Sequence, residues 1–315
     1  MKKKTILILV ALAVVAIVCV AIATAVLCSR TSNSEPVRIY LTEETSYNTL
    51  CNDIGASTHF RLIARAMGLD KRVRPGSYII TPRMKNLSLV RKLRNGQQDP
   101  IRLTIGKFRT PQQLNEYLDS KLMHNDFSVS IDSFYIIRPN TYEFYWTVTP
   151  SQFMRRMKKE FEVESGKWKV ESGECTIKEI IILASIVEEE TNNNQEKPQI
   201  ASVYLNRLER GMPLQADPTV KYAVGDFSIR RILNKHLSVE SPFNTYLHAG
   251  LPPAPICLPS DASVRAVINA PNTKYLYFCA SDKMDGTHRF AATLEEHNRN
   301  AAAFHSALNR RGIVR

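Results

Sequence analysis

The stretch Thr176 to Thr191, TIKEIIILASIVEEET, most restricts what this chain can fold into. Thr176 followed three residues on by Glu179 makes a T-x-x-E capping box, which marks the start of a helix. From there Ile177, Ile180, Ile181, Ile182, Leu183, Ala184, Ile186 and Val187 put apolar side chains on every face, and a helix of that kind belongs inside a core. The chain must therefore build other elements around it. The same helix ends in Glu188, Glu189 and Glu190, where the macrodipole disfavours anions and neighbouring charges repel one another, so the sequence predicts raised carboxyl pKa values for all three. A carboxylic acid still protonated near neutrality is what a general acid requires. The plain alternative is a solvated helix end.

Helical geometry ranks the three glutamates. Successive residues turn by about 100°, so Glu188 and Glu190 diverge by about 200° and cannot flank one bond together. Glu190 lies over Val187, Ile186 and Leu183, whereas Glu189 lies partly over Ser185. Glu190 is the expected desolvated acid, with Glu188 as second choice.

The N-terminus obeys different rules. Lys2, Lys3 and Lys4 precede an apolar run from Ile6 to Cys28 that only Thr24 interrupts, roughly 34 Å of helix at ~1.5 Å per residue and enough to cross a bilayer. The lysines orient the N-terminus to the cytoplasm and leave everything after about Ser29 outside the cytoplasmic (inner) membrane. A cleaved signal peptide is the alternative, because Ala21-Ile22-Ala23 and Ala23-Thr24-Ala25 resemble cleavage sites. Removing the three lysines from the formal +12 leaves about +9 on the exterior portion. That charge favours acidic partners such as anionic lipid head groups and carboxylate-bearing cell-wall polymer. Nucleic acid is not expected, since no basic helix or aromatic-basic platform stands out. The six cysteines lack a C-x-x-C pair and read mostly as buried thiols, with one disulfide left open. The seven histidines show no H-x-x-x-H spacing, so neither a metal site nor a cofactor is expected.

Between these features the chain reads as α+β. Residues 30–36 form a polar linker. A compact module over 37–103 follows, with strands near 38–41 and 77–80 and helices through 60–67 and 87–93, the last closed by Asn95-Gly96. Residues 104–315 form a larger mixed domain, preceded by a strand over 101–105 that leads into it and a helix opening at Thr110-Pro111. The stretch 134–148 is dense in aromatics. Tyr142, Phe144, Tyr145 and Trp146 are candidates to stack on sugar rings, with at least half of them expected in the core. A helix over 150–161 leads through a polar spacer around 164–173 to the 176–191 helix. After a polar turn, Pro198 opens a helix through Ile200, Val203, Tyr204 and Leu208 that stops at Gly211; two antiparallel helices so joined would put Glu190 at the rim of a cleft. Two polar loops, LQADPTVKYAVG from Leu214 and SPFNTYLHAGLPPAPI from Ser241, are where function is expected. The end of the chain supplies a helix capped by Ser260, a hairpin turning at Asp285-Gly286, and a final helix over 294–308.

At these motifs the chain resembles a known family, the YceG-like endolytic murein transglycosylases, also called MltG. LASIVEEET, ASVYLNRLERGMPLQADPTVKYAVG, SPFNTYLHAGLPP and YLYFCA occur in the family's order. The resemblance implies an N-terminal transmembrane helix, a small LysM-like α+β module over 37–103, and a YceG-like catalytic domain over 104–315. It also implies cleavage of MurNAc-β-1,4-GlcNAc bonds within peptidoglycan strands to give 1,6-anhydro ends, and peptidoglycan synthases as candidate partners. The glutamate that ends the family's motif falls on Glu190. The polar family positions fall on Gln215, Asp217, Thr219, Asn244, Thr245 and Tyr246, which with Tyr142 are the expected substrate-binding residues. Four positions depart from the pattern: Glu189 where a basic residue is common, Ala254 for a glycine, Phe243 for a tyrosine and Asn140 for an aspartate. Two other readings fit the same residues, a water-using muramidase with Asp217 as second carboxylate and a non-enzymatic wall-binding scaffold.

Overall fold

A computed structural model describes residues 2–168, 175–229 and 231–311, so half of the expected spacer over 164–173 lies outside the described residues. The chain divides into two compact units, one of Met1–Leu103 with Lys121–Asn125 and Tyr142–Thr149, the other of Thr104–Ser120, Asp126–Thr141 and Pro150–Arg315.

The first unit starts with helix α1, Lys2–Cys28, 27 residues or roughly 40 Å long. Its apolar side chains from Ile6 to Ile22 are exposed, and it is long and apolar enough to cross a membrane. There follow β1 (Val37–Leu41), α2 (Tyr47–Asp53), α3 (Thr58–Ala66), β2 (Gly76–Ile80) and α4 (Asn86–Asn95). Strands β1 and β2 pair antiparallel with Ile39 opposite Tyr78. Leu41, Leu50, Phe60, Tyr78, Leu89 and Leu93 close the core between strands and helices. The sequence reading missed α2, which buries only Leu50 and Cys51 and so lacks a visible period; its one signal is Ser46, whose side chain accepts from the Thr49 amide as N-cap. Gly96 ends α4 in the left-handed conformation, as its position after Asn95 predicts. The expected linker is pinned along this module: the Thr31 amide donates to Met84 O, Arg83 N to Asn33 O and Asn86 N to Ser29 O.

Strand β3 (Ile101–Ile105) leads on to α5 (Pro111–Lys121), α6 (Ile131–Phe134), β4 (Asn140–Phe144), α7 (Pro150–Ser165), α8 (Ile177–Glu190), α9 (Lys197–Glu209), α10 (Asp217–Val224), α11 (Asn234–Leu237), α12 (Asp261–Ile268), β5 (Tyr277–Ala280), β6 (His288–Ala291) and α13 (Leu294–Arg310). The second unit is built around α8. Both arms of its capping box form, and every residue from Ile180 to Val187 is buried. Ile200, Ala201 and Tyr204 of α9, Val264 and Val267 of α12, and Leu214, Ala216 and Ile256 from the intervening loops make the shell that the apolar helix demanded. Strands β5 and β6 pair antiparallel, with Phe278 opposite Phe290.

One expected loop, 214–225, is two-thirds helix. Residues 217–224 form α10, with Pro218 in its first turn, where the missing N–H costs nothing, and left-handed Gly225 as its cap. The polar content of LQADPT had masked a short helix whose start and stop signals were both present.

Candidate active site

The three consecutive glutamates at the end of α8 meet three different environments. Glu188 turns toward α9 and α12: its Oε2 accepts from Lys197 Nζ at 3.1 Å, Ser260 Oγ at 2.6 Å and Ser263 Oγ at 2.5 Å. Burial opposes charge on Glu188, but these hydrogen bonds from both serines and the lysine outweigh it and hold the carboxyl below its ordinary value. The expectation of a raised pKa is therefore corrected for Glu188, because donors from distant segments overcome the helix end.

Glu189 is clamped by cations. Arg109 Nε and Nη2 reach its two oxygens at 3.1 and 3.0 Å, and Lys107 Nζ lies 3.2 Å away. Both partners sit between β3 and α5, and the Arg109 guanidinium also lies over the Phe227 ring at 5.1 Å. Basic charge stands beside this position after all, supplied across space by Lys107 and Arg109.

Glu190 has no such compensation. Tyr204 Oη donates to its Oε1 at 2.5 Å, and the tyrosine itself is buried in α9 with its ring edge against Phe278. Burial pushes the Glu190 carboxyl up to about 7, and the negative charges of Asp217 and Glu189 push the same way; the Tyr204 hydrogen bond and the Lys221 ammonium pull against them. Glu190 thus combines a raised pKa, a defined hydrogen-bond partner and a place at the end of a rigid helix, the attributes of a general acid near neutral pH. Tyr204 was visible in the sequence only as one residue of a buried helical face.

The expected substrate-binding residues separate into an outer and an inner set. Asp217 and Gln215 are exposed, Tyr246 is half-buried, and the Tyr246 hydroxyl donates to Asp217 Oδ1 at 2.7 Å. Gln215 takes a left-handed φ of 50°, uncommon for a side chain of its length, while its amide donates to Thr245 O at 3.1 Å. Thr219, Asn244 and Thr245 lie beneath, with 0, 0 and 1 % exposure. The Thr219 and Thr245 hydroxyls bond each other at 2.8 Å, Thr245 Oγ1 accepts from the Ala216 amide at 3.0 Å, and the Asn244 amide donates to Leu237 O and Val239 O at 2.9 Å each. Thr219 and Thr245 tie the two loops together and Asn244 ties its own loop to the end of α11, so the polar atoms of these three expected substrate-binding residues are engaged in holding the loops. Arg207 adds a brace that sequence reasoning missed, donating from α9 to Leu214 O at 2.8 Å and Leu276 O at 2.7 Å.

Tyr142 belongs to the first unit and is 7 % exposed. The alternation of β4 turns Tyr142 and Phe144 inward together, and Tyr145 is the exposed aromatic of that stretch. At the departures from the family pattern, Phe243 packs on Tyr222 with ring centroids 4.5 Å apart, Ala254 is buried, and Asn140 Oδ1 accepts from the Thr141 amide.

This chain is similar to proteins of known name. It is 40 % identical over 147 residues to the endolytic murein transglycosylase of Bacillus subtilis (strain 168), a stretch covering 47 % of this chain and 40 % of that protein. It is 34 % identical over 137 residues to the endolytic murein transglycosylase of Streptococcus pneumoniae serotype 2, covering 42 % of this chain and 25 % of that one. The aligned stretch thus spans less than half the length of each of these relatives. Among solved structures, a yceG-like protein of Listeria monocytogenes superposes with a TM-score of 0.53 at 27 % identity, covering 85 % of this chain and 99 % of that one. The YceG-like family matches residues 41–303, which take in α8, both polar loops and nearly all of the first unit beyond α1. With most of the sequence and the whole Glu190 site inside that match, the chain belongs to the YceG-like family.

Proposed function

We propose that this chain is a membrane-anchored lytic transglycosylase acting within peptidoglycan strands, with Glu190 as its single acid and base. The observation that carries this reading is one carboxyl group at the end of a rigid helix, raised to about 7 by burial and bonded to Tyr204. The names of the Bacillus and Streptococcus relatives point to murein as the substrate.

The proposed reaction balances with that one group. Protonated Glu190 gives its proton to the glycosidic oxygen as the bond to the muramyl anomeric carbon breaks, and positive charge develops on the sugar ring. The resulting carboxylate takes the proton of the muramyl 6-hydroxyl, whose oxygen bonds the anomeric carbon and leaves a 1,6-anhydro end. Glu190 finishes protonated, ready for another turnover. The nucleophile comes from the substrate, so the turning away of Glu188 into its own socket costs nothing. Gln215, Asp217 and Tyr246 are proposed to meet the sugar, over a base of Thr219, Asn244 and Thr245 that positions them. In the same reading α1 is the single-pass anchor with the N-terminus in the cytoplasm, and the module over 37–103 is LysM-like, supported by its strand–helix–helix–strand order with the strands antiparallel.

A second reading has one observation in its favour: Asp217 carries its charge close enough to Glu190 to raise it, and could serve a water-using muramidase as the second carboxylate. Mass spectrometry of products released by the full-length chain decides between them. Anhydro ends, lighter by one water, are expected; reducing muramic acid ends would assign the hydrolase, and sacculus binding without release of soluble product would overturn both.

A further inference from the structure

Between the end of α8 and α10 lies a pocket of about 40 Å³ lined by Arg109, Glu189, Pro218, Lys221, Phe227 and Ile256. Water-sized sites need about 10–15 Å³ each, so the space takes a group of three or four heavy atoms. Lys107 and Arg109 share Glu189, one carboxylate between two cations. Lys221 adds a third positive charge. It stands four residues after Asp217 on α10, the spacing of a helical ion pair, yet Asp217 accepts from Tyr246 instead, and Lys221 has no carboxylate within 4.0 Å among the described residues. The pocket therefore holds an excess of positive charge at one wall and carbon from Pro218, Phe227 and Ile256 at the others, a combination suited to an aliphatic carbon bearing a carboxylate.

We propose that this pocket binds a free carboxylate of the peptide arm of the substrate, with Lys221 as its counter-charge, so that the enzyme selects peptide-bearing strands. The proposal rests on the functional reading above, in which a muramyl sugar sits at Glu190. The stem peptide hangs from that sugar's lactyl group. Glu189, in the pocket wall, is the chain neighbour of Glu190, and Pro218 and Lys221 stand on the helix that Asp217 opens, so the pocket adjoins the site in which that sugar would sit. Lys107 and Arg109 share Glu189 while Lys221 alone has no carboxylate partner among the described residues, and that one unpaired ammonium matches a monoanion.

The test uses the full-length chain in detergent and strands of equal length in three forms: peptide-bearing with free carboxylates, the same strands with those carboxylates converted to carboxamides, and peptide-free strands that expose only the lactyl carboxylate. Equilibrium binding is read in a Glu190→Gln background, alone and with Lys221→Met or Lys221→Arg, and kcat/KM in the parent. Amidation should weaken binding to the Glu190→Gln chain about tenfold, Lys221→Met should cost about the same on the native strands, and amidation should then cost nothing more. Lys221→Arg should retain the preference for free carboxylates. The assignment is overturned if the Glu190→Gln chain does not distinguish native from amidated strands, if Lys221→Met leaves the preference intact, or if peptide-free strands show the same dependence on Lys221, since the pocket would then read the muramyl carboxylate itself. Because the binding arm needs no turnover, a chain that binds in this pattern without cleaving would refute the transglycosylase reading and leave the pocket assigned.

Discussion

Glu188 and Glu190 sit two residues apart on one helix, and their sockets are opposites. The Glu188 socket is stocked with donors, Lys197, Ser260 and Ser263, which make its charged form the comfortable one. The Glu190 socket offers one tyrosine hydroxyl and a great deal of packed apolar surface, which makes its charged form the costly one. A carboxyl group favoured in its charged form and one favoured in its protonated form are thus told apart by what surrounds them. Position on the helix and chemical type are nearly the same.

The largest effect should come from breaking the costly side. Glu190→Gln keeps the shape and an oxygen for Tyr204 but has no acidic proton, so activity should fall by about 10³-fold in a sacculus-release assay with the fold intact. A variant retaining a tenth of the activity would remove Glu190 from the mechanism. The same substitution should stabilise the protein in base. The folded carboxyl holds its proton up to about 7 while the unfolded one releases it near 4.5, so the wild type loses stability as pH rises across that window and Glu190→Gln does not. Melting curves at pH 5 and pH 8 should therefore show the variant gaining on the wild type at the higher pH.

Glu188→Ala tests the comfortable side. It strands the Lys197 ammonium, 4 % exposed, among uncompensated serines, and should cost about 2–4 kcal/mol of stability. The pH signature runs the other way from that of Glu190. A carboxyl held below its ordinary 4.5 stabilises the fold above that value and stops doing so as pH falls through its folded pKa, so the gap between wild type and Glu188→Ala should narrow in acid. A gap independent of pH would show that the serines, and not the charge, hold this corner.

Much of this was legible in the sequence. Capping box, apolar periodicity and the ranking of Glu190 over its neighbours are properties of local geometry, and α8 has the boundaries that Thr176 and the glutamates foretold. The sockets were not legible, because they are assembled from far away: Arg109 lies 80 positions from Glu189, and Ser260 lies 72 from Glu188. Glu189 shows the consequence. Nothing on the helix itself opposes Glu189→Lys, but across space a lysine there would face Lys107 and Arg109. The substitution should destabilise the loop between β3 and α5 by about 1–2 kcal/mol, and Glu189→Lys combined with Arg109→Glu should recover part of it. A double variant no better than the single would mean that the clamp is not what holds the loop.

The smallest predicted effect concerns the one donor in the costly socket. Tyr204 lowers the Glu190 pKa against burial, and the groups acting with or against it are Asp217 and Glu189, which raise, and Lys221, which lowers. Tyr204→Phe removes a hydroxyl and leaves the ring against Phe278, so packing is kept and a hydrogen bond to the charged form is lost. The carboxylate is then still less favourable and the proton is held longer. Since the reactive form is the protonated one, the alkaline limb of kcat/KM, expected near 7 for the wild type, should move to higher pH by about one unit, while the low-pH plateau falls only as far as the acid is less well aimed. A role in packing alone would leave the limb where it is. A limb that moves to lower pH would show that Tyr204 holds the protonated carboxyl rather than the charged one, and would reverse the electrostatic reading of the whole socket.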